Sequence, residues 1–128
     1  MISVGTAGEE RIKVTEENTA LKLGSGTLPI LATPAMIMLI EKTASECLRP
    51  FLQEGESTVG TSLNVKHSAA SPVGSDVFCK VDVIEVDRSR IVFNVKVWDN
   101  GGEVGSGTHE RFMVNNERFM KRAASRNG

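Results

Sequence analysis

TPAMIMLIEKTASECLRPFLQ, residues 33–53, is the stretch whose pattern governs everything around it. Met36, Ile40, Ala44, Cys47, Leu48 and Phe51 recur at spacings of three and four, the period of a helix with one apolar face. Lys42, Glu46, Arg49 and Gln53 fall largely between them. Pro34 suits the first helical position, where its missing N–H leaves no partner wanting, and Thr33 suits the N-cap. The spacing predicts a helix over 34–53 with Gly55 as its stop. The opening residues, AMIMLI (35–40), are apolar around more than half the circumference. Such a helix must be covered by more than one surface, as when a sheet wraps around it.

Beyond Gly55 the period changes from helical to two. In residues 57–67, Val59, Leu63, Val65 and His67 share one face, and Ser62, Asn64 and Lys66 the other. Pro72 and Gly74 break the chain. Strands are then predicted over 76–87, 90–98 and 103–114, the last two joined by Asp99-Asn100-Gly101-Gly102, whose Asn-Gly tolerates the positive φ of a tight hairpin. Upstream, residues 9–15 alternate weakly as a strand, and 16–32, with Gly24, Gly26 and Pro29, read as an irregular segment. The tail 115–128 is polar, with one helical turn near Phe119. The expected order is one strand, a long apolar helix and a four-strand antiparallel meander. This is an α+β arrangement of about five strands rolled around one central helix, which describes a hot-dog fold.

A chain of 128 residues is one domain by size, taken here as 1–128. With 40% apolar residues it can bury a core. Lys plus Arg is 15 against 16 Asp plus Glu, so no global basic field invites nucleic acid. No apolar run is long enough to span a membrane. Glu9 and Glu10 stand where a signal peptide would need basic and then apolar residues. Cys47 and Cys79 show neither metal nor redox spacing and read as small core residues. The expectation is a soluble, cytoplasmic protein with free thiols, no metal and no cofactor.

Few residues could carry chemistry. Glu41 follows six apolar or small residues, so it is either a boundary charge or a carboxylate facing a cleft. His67 ends a strand on its apolar face and reads as a structural or a functional histidine. His109 reads as a surface or inter-strand histidine, and Arg111 as a strand charge paired with Glu110 or Glu117. Gly60 interrupts a strand, as a bulge or as a backbone N–H free to meet an oxyanion. Gly24-Ser25-Gly26 lacks the lysine of a phosphate loop, and no Gly-x-Ser-x-Gly elbow occurs.

LATPAMIMLIEKTASECLRPFLQEGESTVGTSLNVKHSAASPVG (31–74) and GSGTHERFMV (105–114) together resemble the fluoroacetyl-CoA thioesterase family of hot-dog proteins. Thr33, then Glu41 eight residues on, then His67 twenty-six further, carry most of that resemblance. It implies hydrolysis of a short acyl-CoA by a Thr33–Glu41–His67 set. Glu41 would activate water or attack the carbonyl, Thr33 would orient Glu41 or the water, and His67 would protonate the departing thiolate. It also implies an oxyanion contact at Gly60, Arg111 near the site, and a homodimer joined edge to edge. The fluoroacetyl-selective enzyme carries aromatic side chains in its lid, whereas residues 15–32 here hold none. Leu21, Leu23, Leu28 and Ile30 in that segment lead to the expectation of acetyl or another short acyl group. Two other readings of the same fold are a non-catalytic module holding an acyl-CoA or small apolar ligand, and a hydratase or dehydratase, whose closely spaced Asp–His pair is absent.

Overall fold

The computed structural model describes residues 1–128. The elements run β1 (Ala7–Lys13), a 3-10 turn (Glu16–Asn18), α1 (Ala20–Leu23), α2 (Thr33–Leu48), a second 3-10 turn (Arg49–Phe51), β2 (Glu56–His67), β3 (Asp76–Asp87), β4 (Arg90–Asp99), β5 (Gly102–Asn115) and α3 (Asn116–Asn127). The strands form one antiparallel sheet in the order β1-β3-β4-β5-β2. The sheet packs its inner face on α2, as expected for a hot-dog fold. Ala35, Met36, Leu39, Ile40, Ala44 and Leu48 of the helix are buried against Val77, Cys79, Val81, Val83, Ile91, Phe93, Val95 and Val97. Burying a side chain of this size contributes about 1.5–3 kcal/mol, so this one cluster dominates the stability.

Four local expectations are corrected. The α-helix ends at Leu48 rather than running to 53. Pro50 has no N–H to donate back and its ring crowds the preceding turn, so the chain tightens into the 3-10 turn. The N-cap is Ala32, with no side-chain capping bond, and Thr33 is already helical. Its hydroxyl is thereby released for another partner. The irregular segment 16–32 contains a capping box, in which Thr15 accepts from the backbone and Asn18 caps in return, followed by the single turn α1. The tail is a 12-residue helix rather than one turn, started by the Asn115 side chain accepting from the Arg118 N–H at 3.0 Å.

The topology also differs from a four-strand meander. Only β3, β4 and β5 meander; β2 returns to pair with β5. The connection after β2 is too long for a hairpin and is held elsewhere, with Leu31 N–H donating to Ser71 O at 2.9 Å and Ile30 bridging Pro72. One edge of β2 is therefore unpaired. The two edges of the sheet are unlike. Four of the seven residues of β1 are charged, but among the twelve of β2 only Glu56 and Lys66 are. Charge on an edge opposes pairing with another strand, so β1 is protected and β2 is open.

A bulge between Gly60 and Ser62 shifts the β2 register by one residue. Leu63, Val65 and His67 keep the inward face, but Val59 moves off it, and Thr58 and Gly60 take its place opposite Met113 and Arg111. That shift builds the site.

Candidate active site

Two groups of polar side chains line the inner face. The first joins the start of α2 to the end of β2. Thr33 Oγ1 lies 2.8 Å from His67 Nδ1. The other ring nitrogen, His67 Nε2, is buried without a hydrogen-bond partner. A buried polar atom in that condition costs free energy until something meets it. Burial lowers the His67 pKa below 6.5, partly offset by the Ala69 backbone, so the ring is uncharged at neutral pH. The pair opens on a cleft of about 330 Å³ lined by Ala20, Ile30, Leu31, Ala69 and Ala70. The aliphatic segment before α2 thus borders the site, through Ile30, while Leu21, Leu23 and Leu28 remain exposed.

The second group centres on Arg111, which is only 6% exposed. Its Nη1 lies 3.4 Å from Glu41 Oε2 and donates to His109 Nε2 at 3.2 Å. Its Nε donates to Thr58 Oγ1 and its Nη2 to Thr58 O, each at 3.0 Å. Desolvation lowers the Arg111 pKa, and Glu41 opposes that shift. A cation so enclosed persists because each of its nitrogens has a partner. His109 is fully enclosed as well, with Nδ1 donating to Ser62 O at 2.9 Å. Gly60 completes the group. A Cβ at this position would collide with Glu41 Oε2, and would stand 3.2 Å from Arg111 Nη1 and 3.3 Å from His109 Cε1. Only glycine lets the carboxylate reach the backbone here.

Glu41 faces a site rather than solvent alone, with Gly60 and Arg111 beside it. The surface readings of His109 and Arg111 are corrected: both are buried, because β5 turns residues 109, 111 and 113 inward. Arg111 pairs with Glu41 and not with Glu110 or Glu117. Thr33 meets His67, not Glu41. Sequence reading missed Thr58, which the bulge turns inward. It also missed the role of His109, whose signal was its two-residue spacing from Arg111 on one strand face. Cys79 sits in the core, where burial pushes its thiol up to about 11, far from a nucleophile's range.

Within one chain the two groups stay apart. Eight helical residues separate Thr33 from Glu41, about 12 Å along the axis. Seven strand residues separate Gly60 from His67, roughly 20 Å. Glu41 therefore stands beside the middle of β2, and the Thr33–His67 pair at its C-terminal end.

A family profile described as fluoroacetyl-CoA-specific thioesterase matches residues 14–117. The fluoroacetyl-CoA thioesterase of Streptantibioticus cattleyicolor is 36% identical over 90 residues, which are 70% of this chain and 65% of that relative's own length. A solved variant of the fluoroacetyl-CoA thioesterase in complex with acetyl-CoA is similar with a TM-score of 0.93 and 27% identity, over 99% of this chain and 100% of that one. A hot-dog-like protein from Thermanaerovibrio acidaminovorans gives 0.90 and 30%, over 99% and 94%. With the profile covering most of its length, from before α2 to the first turn of α3, this chain belongs to the fluoroacetyl-CoA-specific thioesterase family.

Proposed function

We propose that this protein hydrolyses a short-chain acyl-CoA to a carboxylate and free coenzyme A, as a homodimer whose sites each draw on two chains. The observation that carries this reading is the division of the polar residues between the middle and the C-terminal end of one unpaired edge strand. If β2 pairs antiparallel with β2 of a second copy, a two-fold axis between Leu63 and Asn64, midway from Gly60 to His67, lays His67 against Gly60 of the partner subunit. Thr33 and His67 then face Glu41 of the partner subunit, and the unpartnered His67 Nε2 gains something to meet. The low charge of β2 supports the same pairing. The free thiols of Cys47 and Cys79 suit a reducing compartment, and we assign the protein to the cytoplasm. No helix is long and apolar enough to cross a membrane.

The chemistry follows from the groups present. A thioester leaves as a thiolate, so little acid is needed. Thr33 donates to His67 Nδ1, which puts the ring proton on Nε2. From there it donates a hydrogen bond to the thioester instead of delivering a full charge, since burial keeps the ring neutral. Glu41 takes the proton of an attacking water, or adds to the carbonyl itself and is freed by water. The developing oxyanion is met by the Gly60 backbone N–H, a contact worth on the order of 3 kcal/mol. Arg111 holds the carboxylate in place and lines the acyl end. With Ile30 and its aliphatic neighbours at the cleft and no aromatic lid, acetyl or a similarly short acyl group is the expected substrate.

Thiol release from a series of acyl-CoA esters of rising length tests the reading. Turnover should be highest for acetyl or its near neighbours. Preference for a long chain or for fluoroacetyl-CoA would overturn the substrate assignment. Tight coenzyme A binding without any hydrolysis would leave a non-catalytic binding module in its place.

A further inference from the structure

The bulge in β2 is held from both faces of the sheet. On the inner face, His109 Nδ1 donates to Ser62 O at 2.9 Å. On the outer face, the extra residue, Thr61, turns its hydroxyl to the next residue of β5. Thr61 Oγ1 donates to Glu110 Oε2 at 2.8 Å, with Glu110 O at 3.2 Å. The Glu110 carboxylate is gripped in turn by Arg90 Nε at 2.5 Å, and Arg90 Nη1 reaches Glu85 Oε2 at 2.5 Å. Arg90 pairs across its own rung with Asp87 and Phe112, whereas Glu85 and Glu110 flank Val92 on the next, so the arginine stands diagonally between the two carboxylates. One chain of polar groups, Glu85–Arg90–Glu110–Thr61, therefore crosses β3, β4, β5 and β2. It ends on the bulge that turns Gly60 inward.

The reaction uses none of these groups directly, and they add little to global stability. The side chains of Arg90 and Glu85 are 35% and 54% exposed, and ion pairs so open to water are screened. Their local geometry is nonetheless specific. The bonds from Arg90 and then Thr61 hold the Glu110 carboxyl below its ordinary pKa, so at neutral pH it is a charged acceptor for both. A bulge leaves its extra residue outside the ladder, where backbone pairing does not fix the neighbouring peptide planes. Gly60, whose N–H is assigned above to the oxyanion, is the residue immediately before Thr61. A donor stabilises a developing charge well only if its direction is set in advance. At this bulge the outer-face chain supplies that setting.

We propose that Thr61 and Glu110, braced by Arg90, are positioning residues for thioester hydrolysis: from the outer face of the sheet they lock the bulge so that the Gly60 N–H points at the oxyanion. This rests on the thioesterase reading above and adds to it residues that touch no substrate. The test compares Thr61→Val, Thr61→Ser and Glu110→Ala in the full chain. Thr61→Val and Glu110→Ala should each lower kcat for acetyl-CoA about tenfold, less than the roughly hundredfold loss on removing an oxyanion donor outright, with KM and Tm nearly unchanged. Thr61→Ser keeps the hydroxyl and should restore most of the rate. Because the two residues act as one unit, Thr61→Val combined with Glu110→Ala should lose no more than the worse single variant. In backbone amide NMR the Gly60 resonance should move in Thr61→Val and in Glu110→Ala, and return in Thr61→Ser. An unchanged kcat in Thr61→Val, a Tm that falls in step with kcat, or losses that multiply in the double variant would overturn the proposal. If the unaltered protein releases no thiol from acetyl-CoA, the proposed function fails, while the Gly60 resonance still decides whether the outer chain sets the bulge: a signal unmoved in Thr61→Val and Glu110→Ala would show that it does not.

Discussion

His109 accepts a hydrogen bond from Arg111 on one side of its ring and donates one to the Ser62 carbonyl on the other. Those two partners fix the tautomer, with the proton on Nδ1 and the lone pair on Nε2. A protonated His109 would lose the acceptor that steadies Arg111 and would set two cations side by side. Desolvation first, and Arg111 as well, hold its pKa below 6.5. His109 is thus a neutral strut behind the Glu41–Arg111 pair.

Stability should therefore fall in mild acid. His67 and His109 both have native pKa values below the ordinary 6.5. Below 6.5 the unfolded chain binds more protons than the folded one, so this contribution is complete above that pH and is lost as the pH drops through the native values. Tm should decline between about pH 7 and pH 5, before the carboxylates titrate, and His109→Gln should flatten part of that decline. A Tm constant across this window would contradict the buried, neutral assignment.

Gly60→Ala should damage turnover far more than folding. The added methyl lands on Glu41 Oε2 and must push the carboxylate away from the backbone. Displacing a reacting group by an ångström costs as much as about a hundredfold in rate, whereas overpacking of this kind costs roughly 1–3 kcal/mol of stability. The expected result is a folded protein with kcat strongly reduced and KM much less affected. Turnover at the unaltered rate would mean that the carboxylate does not work from this position.

Thr33 distinguishes two local accounts. As an N-cap its hydroxyl would support the helix, and Thr33→Val would cost about 1 kcal/mol of stability. As the partner of His67 Nδ1 it orients the imidazole instead, and the helix already has Ala32 at its cap. Thr33→Val should therefore lower kcat at least about tenfold at nearly unchanged Tm, and Thr33→Ser should restore most of it. A melting shift without a kinetic one would return Thr33 to the capping role.

The parts of this fold that were legible are those written as a period. The apolar recurrence from Met36 to Leu48 gives α2 and its buried face, and the alternation in β3 and β4 gives two strands and their inner residues. A period says which face a residue takes but not which strand lies beside it. The pairing of β2 with β5 depends on the connection through Ser71 and Pro72 to the segment before α2, and no local pattern in β2 encodes it. The bulge at Thr61 is similar: one extra residue turns Thr58 and Gly60 inward and Val59 away, and strict alternation cannot anticipate that. Burial of His109 and Arg111 was hidden because both are polar. Only the chain of partners from Ser62 through Arg111 to Thr58 and Glu41 makes their position tolerable.

A mixture of two inactive variants gives the sharpest test of a shared site. Glu41→Gln removes the carboxylate and His67→Ala removes the imidazole, and each should reduce thioester turnover at least about a hundredfold as a pure homodimer. In a heterodimer of the two, one site draws His67 from the first chain and Glu41 from the second, and both are intact. The other site lacks both. Unfolding and refolding the two variants together should therefore recover a substantial part of the lost activity, rising with the fraction of heterodimer. If all three residues worked within one chain, every chain in the mixture would still lack one of them, and no mixing ratio would restore turnover. Measuring thiol release from acetyl-CoA across mixing ratios, with sedimentation to confirm the dimer, decides between the two arrangements.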